Sequence, residues 1–80
     1  MMNTRTDEEL IQMCINFKLF REQRGLGIKE LSKASGVSEY MIANIENMVV
    51  SRRLSVKHVI KLCNFFGIEI RKIFLPIGIK

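Results

Sequence analysis

The run from Leu31 to Glu46 constrains the fold more than any other part of the chain: Leu-Ser-Lys-Ala-Ser-Gly-Val-Ser-Glu-Tyr-Met-Ile-Ala-Asn-Ile-Glu. It reads as two short helices joined by a tight turn at Gly36. Leu31 and Ala34 mark the buried face of the first helix, and Val37 follows the glycine as a plug into a core. Ile42 and Ile45, three apart, mark the buried face of the second. Among those anchors lie Ser38, Glu39, Tyr40, Met41 and Asn44, mostly polar and directed outward. A helix with a sparing buried face and a polar outer face can be held against a core and offered to a partner.

The rest of the chain supplies that core. Eighty residues make one domain, just large enough for a single small core without metals or several disulfides. With 48% apolar residues the sequence is not that of a disordered chain. No stretch approaches the roughly 18 unbroken apolar residues of a membrane span. The first nine residues are polar and acidic, the reverse of a secretory signal, so a cytoplasmic location is expected. Cys14 and Cys63 each sit in an apolar helical pattern with no metal-ligand spacing, and are expected to be buried free thiols. The single histidine, His58, has no Cys or Asp nearby and reads as a surface helix residue. No metal or other cofactor is expected.

Helical spacing and capping signals divide the chain into five helices and no convincing strand. The first begins near Asp7, with Thr6 as cap and Glu9 completing a capping box, and stops at Arg24 before Gly25. Leu10, Cys14, Phe17 and Phe20 form its repeat. The second runs from Ile28 to Ser35, and the third from Ser38 as N-cap to about Asn47. Residues 48–54 read as a loop. Ser55 caps the fourth, whose Val59, Leu62, Cys63 and Phe66 share a face, and Gly67 closes it. A fifth runs from Glu69 to Phe74 and stops before Pro76. The tail from Leu75 to Lys80 is too short for a helix, though it has room for a short strand. Residues 1–6 are expected to be a flexible lead-in. The fold class is therefore compact all-α.

Charge points to a polyanion. Residues 1–9 carry a net −2, whereas residues 10–80 carry twelve bases against five acids, a net +7. Charge of this size also serves ordinary solubility, so the two short helices carry more of the inference. Two such helices around a glycine turn are the form of a helix-turn-helix, whose second helix enters the DNA major groove.

From Phe17 to Phe74 the order of features resembles the Cro/CI-type (Xre) helix-turn-helix family of bacterial and phage regulators. The matching residues are Phe20-Arg21, Arg24-Gly25-Leu26, Leu31, Gly36-Val37-Ser38, Ile42, Ile45-Glu46, and Leu62-Cys63-Asn64-Phe65-Phe66-Gly67-Ile68. The resemblance implies a five-helix, lambda-repressor-like domain with the motif at the second and third helices. It also implies a structural salt bridge between Arg21 and Glu46. Three positions depart from the family pattern: Ile28 stands where Gln is usual, Ser32 where Ala is usual, and Met48 where Gly is common; the loop to the fourth helix is also a residue or two longer than usual.

On this resemblance Ser38, Glu39, Tyr40 and Asn44 face the groove, with Met41 at the margin. Asn44 can bridge N6 and N7 of adenine, and Glu39 can accept from cytosine N4. Tyr40 can meet a sugar, a thymine methyl or a phosphate. Arg52 and Arg53 precede the fourth helix, where the backbone is met, and Lys29, Ser55 and Lys57 complete the expected phosphate set. Lys33, Lys61 and Lys80 read as solvated bases. Such domains bind near-palindromic sites on double-stranded DNA as dimers. Ile70, Ile73, Phe74, Leu75, Ile77 and Ile79, within residues 68–80, are the expected homodimer surface.

The leading reading is thus a small dimeric regulator, a repressor of phage, mobile-element or controller type. Ile28, Glu39 and the lack of a basic base-reading residue keep a second reading open: a helix-turn-helix module that grips a protein partner, such as an antitoxin bound to its toxin. A membrane-surface role is weaker, since Lys80 is the only base at the tail. No paired acid/base set, nucleophile triad, phosphate loop or metal cluster argues for an enzyme.

Overall fold

The computed structural model describes residues 7–49 and 54–76. Four α-helices, α1 (Asp7–Gln23), α2 (Ile28–Ser35), α3 (Glu39–Glu46) and α4 (Val56–Phe66), are followed by a single 3-10 helix, Ile70–Phe74. The described residues contain no strand. The expected fifth α-helix is thus a 3-10 turn. Pro76 lies two residues past Phe74 and lacks the N–H that would continue a helix, so the segment is too short to settle into an α-helix. Thr6, expected to cap α1, and the tail from Ile77 lie outside the described residues.

Each helix contributes a stripe to one core. Met13, Cys14 and Phe17 come from α1, Leu31 from α2, and Val37 from the turn. Met41, Ile42 and Ile45 come from α3, and Val59, Leu62, Cys63 and Phe66 from α4. Ala34 is exposed, contrary to expectation, so α2 rests on Leu31 alone as its fully buried residue. With eight residues and one such anchor, α2 gains little from packing and depends on what holds its ends. Both cysteines are free and buried, and burial raises their thiol pKa values, Cys63 to about 11.

Among the described residues, Asn16 is the one buried polar side chain. Its amide donates to the carbonyls of Ile73 and Leu75, both at 2.7 Å, and Gln12 donates to its Oδ1 at 3.1 Å. The amide therefore satisfies two chain carbonyls that packing on α1 removes from water. Ile73 is 0% exposed. It was expected at a dimer surface, but it is the core residue that this clamp seats against α1. Phe74 is half-buried against the core, leaving Ile70 and Leu75 as the exposed apolar side chains of this segment.

Candidate nucleic-acid interface

The turn between α2 and α3 is set by backbone geometry. Gly36 has φ 84°, in the left-handed region that a side chain makes costly, and its N–H donates to the Ser32 carbonyl at 2.9 Å. Ser35 Oγ accepts the Val37 N–H at 3.2 Å, which tightens the same turn and points Val37 into the core. Lys61 of α4 lies over the turn: a Cβ at Gly36 would meet its Cδ at 3.9 Å and its Nζ at 4.0 Å. That places an ammonium by the carbonyl end of α2, where a cation is favoured. Lys61 is exposed, but its charge is not simply adrift on a solvated face.

α3 starts at Ser38, whose Oγ accepts the Met41 N–H at 3.1 Å. This cap uses one lone pair of the hydroxyl and leaves its proton free to turn outward. Glu39 and Tyr40 follow on the exposed side, with Tyr40 66% exposed. Asn44, one turn beyond Tyr40, is half-buried. Ser38, Glu39, Tyr40 and Asn44 are thus presented by one short helix. Met41 is not among them. It is only 5% exposed, because Met41 and Ile45, four apart, form with Ile42 the buried stripe of α3.

The far end of α3 is braced from α1. Arg21 Nε donates to Glu46 Oε2 at 2.6 Å, and Arg21 Nη2 donates to Oε1 at 2.8 Å. Nη1 donates to the Leu26 carbonyl at 2.7 Å. The hydrogen bond to Glu46 raises the guanidinium pKa above its ordinary value. Two parallel bonds to one carboxylate fix α3 against α1 in angle as well as distance. After Glu46 the chain leaves through a Schellman turn: Met48 N–H donates to the Ile45 carbonyl at 2.9 Å and Val49 N–H to the Asn44 carbonyl at 2.7 Å. Met48 takes the left-handed position, φ 63°, that glycine usually fills.

The cations expected at phosphates are partly in view. Lys29 is exposed on the first turn of α2, and Ser55 and Lys57 are exposed at the start of α4. Arg52 and Arg53 lie outside the described residues. Both helix starts carry features with no match in the expected set. At α2, Glu30 Oε1 accepts the Gly27 N–H at 2.7 Å, putting a carboxylate where a phosphate would otherwise be welcomed. At α4, His58 Nδ1 accepts the Ser55 N–H at 3.1 Å. The signal for the second was present as Ser-x-x-His, a capping box with imidazole in place of the usual carboxylate or amide. Arg24 binds α1 to the end of α4, donating to the Phe66 carbonyl at 3.0 Å with its guanidinium 5.2 Å from the Phe66 ring centre and 5.6 Å from that of Phe65.

Two short helices about a left-handed glycine, with the second offering its polar side, define a helix-turn-helix protein. The family model described as helix-turn-helix matches residues 17–73. The chain belongs to that family, the Xre or Cro/CI-type group of DNA-binding regulators. No curated protein and no solved structure matches the chain. No helix among the described residues is long and apolar enough to cross a membrane.

Proposed function

We propose that the protein is a sequence-specific reader of double-stranded DNA, acting in the cytoplasm as a small homodimeric transcriptional repressor of phage, mobile-element or controller type. The observation that carries this reading is the outer side of α3, where Ser38, Glu39, Tyr40 and Asn44 are displayed from a helix fixed at both ends. Asn44 is the adenine reader by chemistry, and Tyr40 the aromatic contact to a sugar, a methyl or a phosphate. Lys29, Lys57, Arg52 and Arg53 supply phosphate contacts, and the +7 of residues 10–80 supplies attraction at a distance. Pairing on a near-palindromic operator is assigned to Ile70, Leu75 and the tail isoleucines Ile77 and Ile79.

Anisotropy titrations on a selected duplex test the reading. Asn44→Ala should weaken the selected site by about tenfold and leave random DNA unchanged, as expected for a base contact worth ~1–3 kcal/mol. Arg52→Ala with Arg53→Ala should weaken all sequences and flatten the salt slope by about two units. An unchanged salt slope would remove those two arginines from the interface. Equal losses on selected and random DNA in the Asn44 variant would remove base reading from α3.

A second reading is favoured by two carboxylates, Glu30 at the start of α2 and Glu39 at the start of α3, together with Ile28 in place of an amide. In it the same scaffold grips a protein, as an antitoxin grips a toxin. Failure to retain any duplex at low salt would select it.

A further inference from the structure

The core and the candidate interface leave one side of α1 unused. Glu8, Ile11, Ile15, Lys18 and Glu22 are all exposed and recur at alternating intervals of three and four residues, the spacing of a coiled-coil seam. They lie on the helix face opposite Met13, Phe17 and Phe20, which face the core. Ile11 and Ile15 are 45% and 43% exposed, β-branched, and adjacent on that seam. An isolated surface isoleucine is ordinary, but two on one seam, flanked by charges of opposite sign, form a pattern.

The pattern is self-complementary. Ile11 and Ile15 stand two residues either side of position 13, and Glu8 and Lys18 stand five residues either side of it. A second α1 laid antiparallel across a two-fold axis at that level sets Ile11 of each copy against Ile15 of the other. The same register sets Glu8 of each against Lys18 of the other. The result is an isologous contact with a small apolar centre and two opposite-charge pairs at its edges. Parallel packing would instead set Glu8 on Glu8 and Lys18 on Lys18. Charge therefore selects both the occupant, another copy of this chain, and its direction.

We infer that the outer face of α1 is a second self-association surface, separate from the exposed apolar residues of the C-terminal segment. The inference does not rest on DNA binding. Glu8 to Lys18 spans about 15 Å along one helix, and a strip that short covers far less than the roughly 800 Å² per partner of a stable complex, so the contact is weak between free molecules. It becomes effective when copies are held near one another, as on adjacent DNA sites, where the local concentration of each for the next is high. Two separate self-contacts on one chain join dimers to dimers.

The test is a reciprocal charge swap, Glu8→Lys in one protein and Lys18→Glu in another, with distinct fluorophores and circular dichroism to check that helices remain. Each variant alone sets like charges together twice, and its self-association through this face should fall about tenfold. Mixed one to one, every edge pair is attractive again, so mixed pairs should exceed the random proportion in energy transfer and sedimentation velocity. The double variant carrying both swaps should regain wild-type association. Mixed and like pairs in random proportion would overturn the inference even if the chain dimerises through its C-terminal segment. Wild-type association unaffected by either swap would overturn it too.

Discussion

α3 is held in different ways at its two ends. At its start every device is local: the left-handed backbone of Gly36, the Ser35 hydroxyl on the Val37 N–H, and the Ser38 hydroxyl on the Met41 N–H. At its end the principal device is remote, the paired hydrogen bonds between Glu46 and Arg21, 25 residues apart. The start can form as soon as α2 and α3 do. The end is fixed only when α1 has docked. α3, the helix proposed to meet DNA, is therefore pre-shaped by its own sequence at its start, the end proposed to enter the groove, and aimed by the rest of the fold at the other.

Four substitutions break or sharpen this contrast. The largest effect is expected from Glu46→Gln. It leaves the Arg21 guanidinium, with 15% of its side chain exposed, without its carboxylate. The cost should be about 3 kcal/mol, since stranding one member of a largely buried pair is more damaging than the pair is stabilising. Urea denaturation measures it, and a loss well below 1 kcal/mol would mean that α3 is not aimed from α1. Next is Gly36→Ala, expected to cost about 1–2 kcal/mol for the left-handed backbone. Because the new Cβ would stand 3.9 Å from Lys61 Cδ, an ordinary contact, the same cost should appear in a Lys61→Ala background. Relief there would move the cause from conformation to crowding.

Ser38→Ala removes the cap and should cost about 1 kcal/mol. It should also weaken DNA binding by more than the lost stability accounts for, because the first turn of α3 frays where the groove contacts begin. Gel-shift titration at a temperature where the variant is fully folded separates the two effects. The smallest change has the opposite sign. Met48→Gly should stabilise by up to about 1 kcal/mol, because the Schellman turn already demands a left-handed residue. Thermal melting would show a higher midpoint. A lower midpoint would mean that the half-exposed Met48 side chain gains more from its contacts than its backbone loses.

Much of this contrast is visible in the sequence. The Gly36 turn, the Val37 plug, the Ile42 and Ile45 anchors and the Ser38 cap follow from spacing and residue type, because their causes lie within a few positions. The Arg21 and Glu46 partnership is not a local signal and comes only through resemblance to a family. Asn16 is hidden for a related reason. A polar residue in an apolar helical pattern gives no sign of which carbonyls it will meet, and these belong to Ile73 and Leu75 at the other end of the chain. That clamp also explains why Ile73 is core while its sequence neighbours read as one sticky patch. Met41 stands four residues before Ile45, so helical spacing alone sets it on the buried stripe, and its place at the groove margin comes from the family resemblance. In the candidate interface Ser38, Glu39, Tyr40 and Asn44 are legible as an outward group. The carboxylate of Glu30 at the start of α2 is visible only once its hydrogen bond is seen, whereas the imidazole of His58 at the start of α4 is foreshadowed by Ser-x-x-His.

The central claim is that the outer side of α3 reads DNA sequence. Its most direct measurement is selection from a random duplex pool at two salt concentrations, followed by sequencing of the bound fraction. The account predicts an enriched near-palindrome whose half-sites lose an adenine preference when Asn44 is replaced by alanine, with weaker retention at the higher salt. Binding that is salt-sensitive but unenriched would reduce α3 to part of a basic surface. No retention even at low salt would contradict the claim outright.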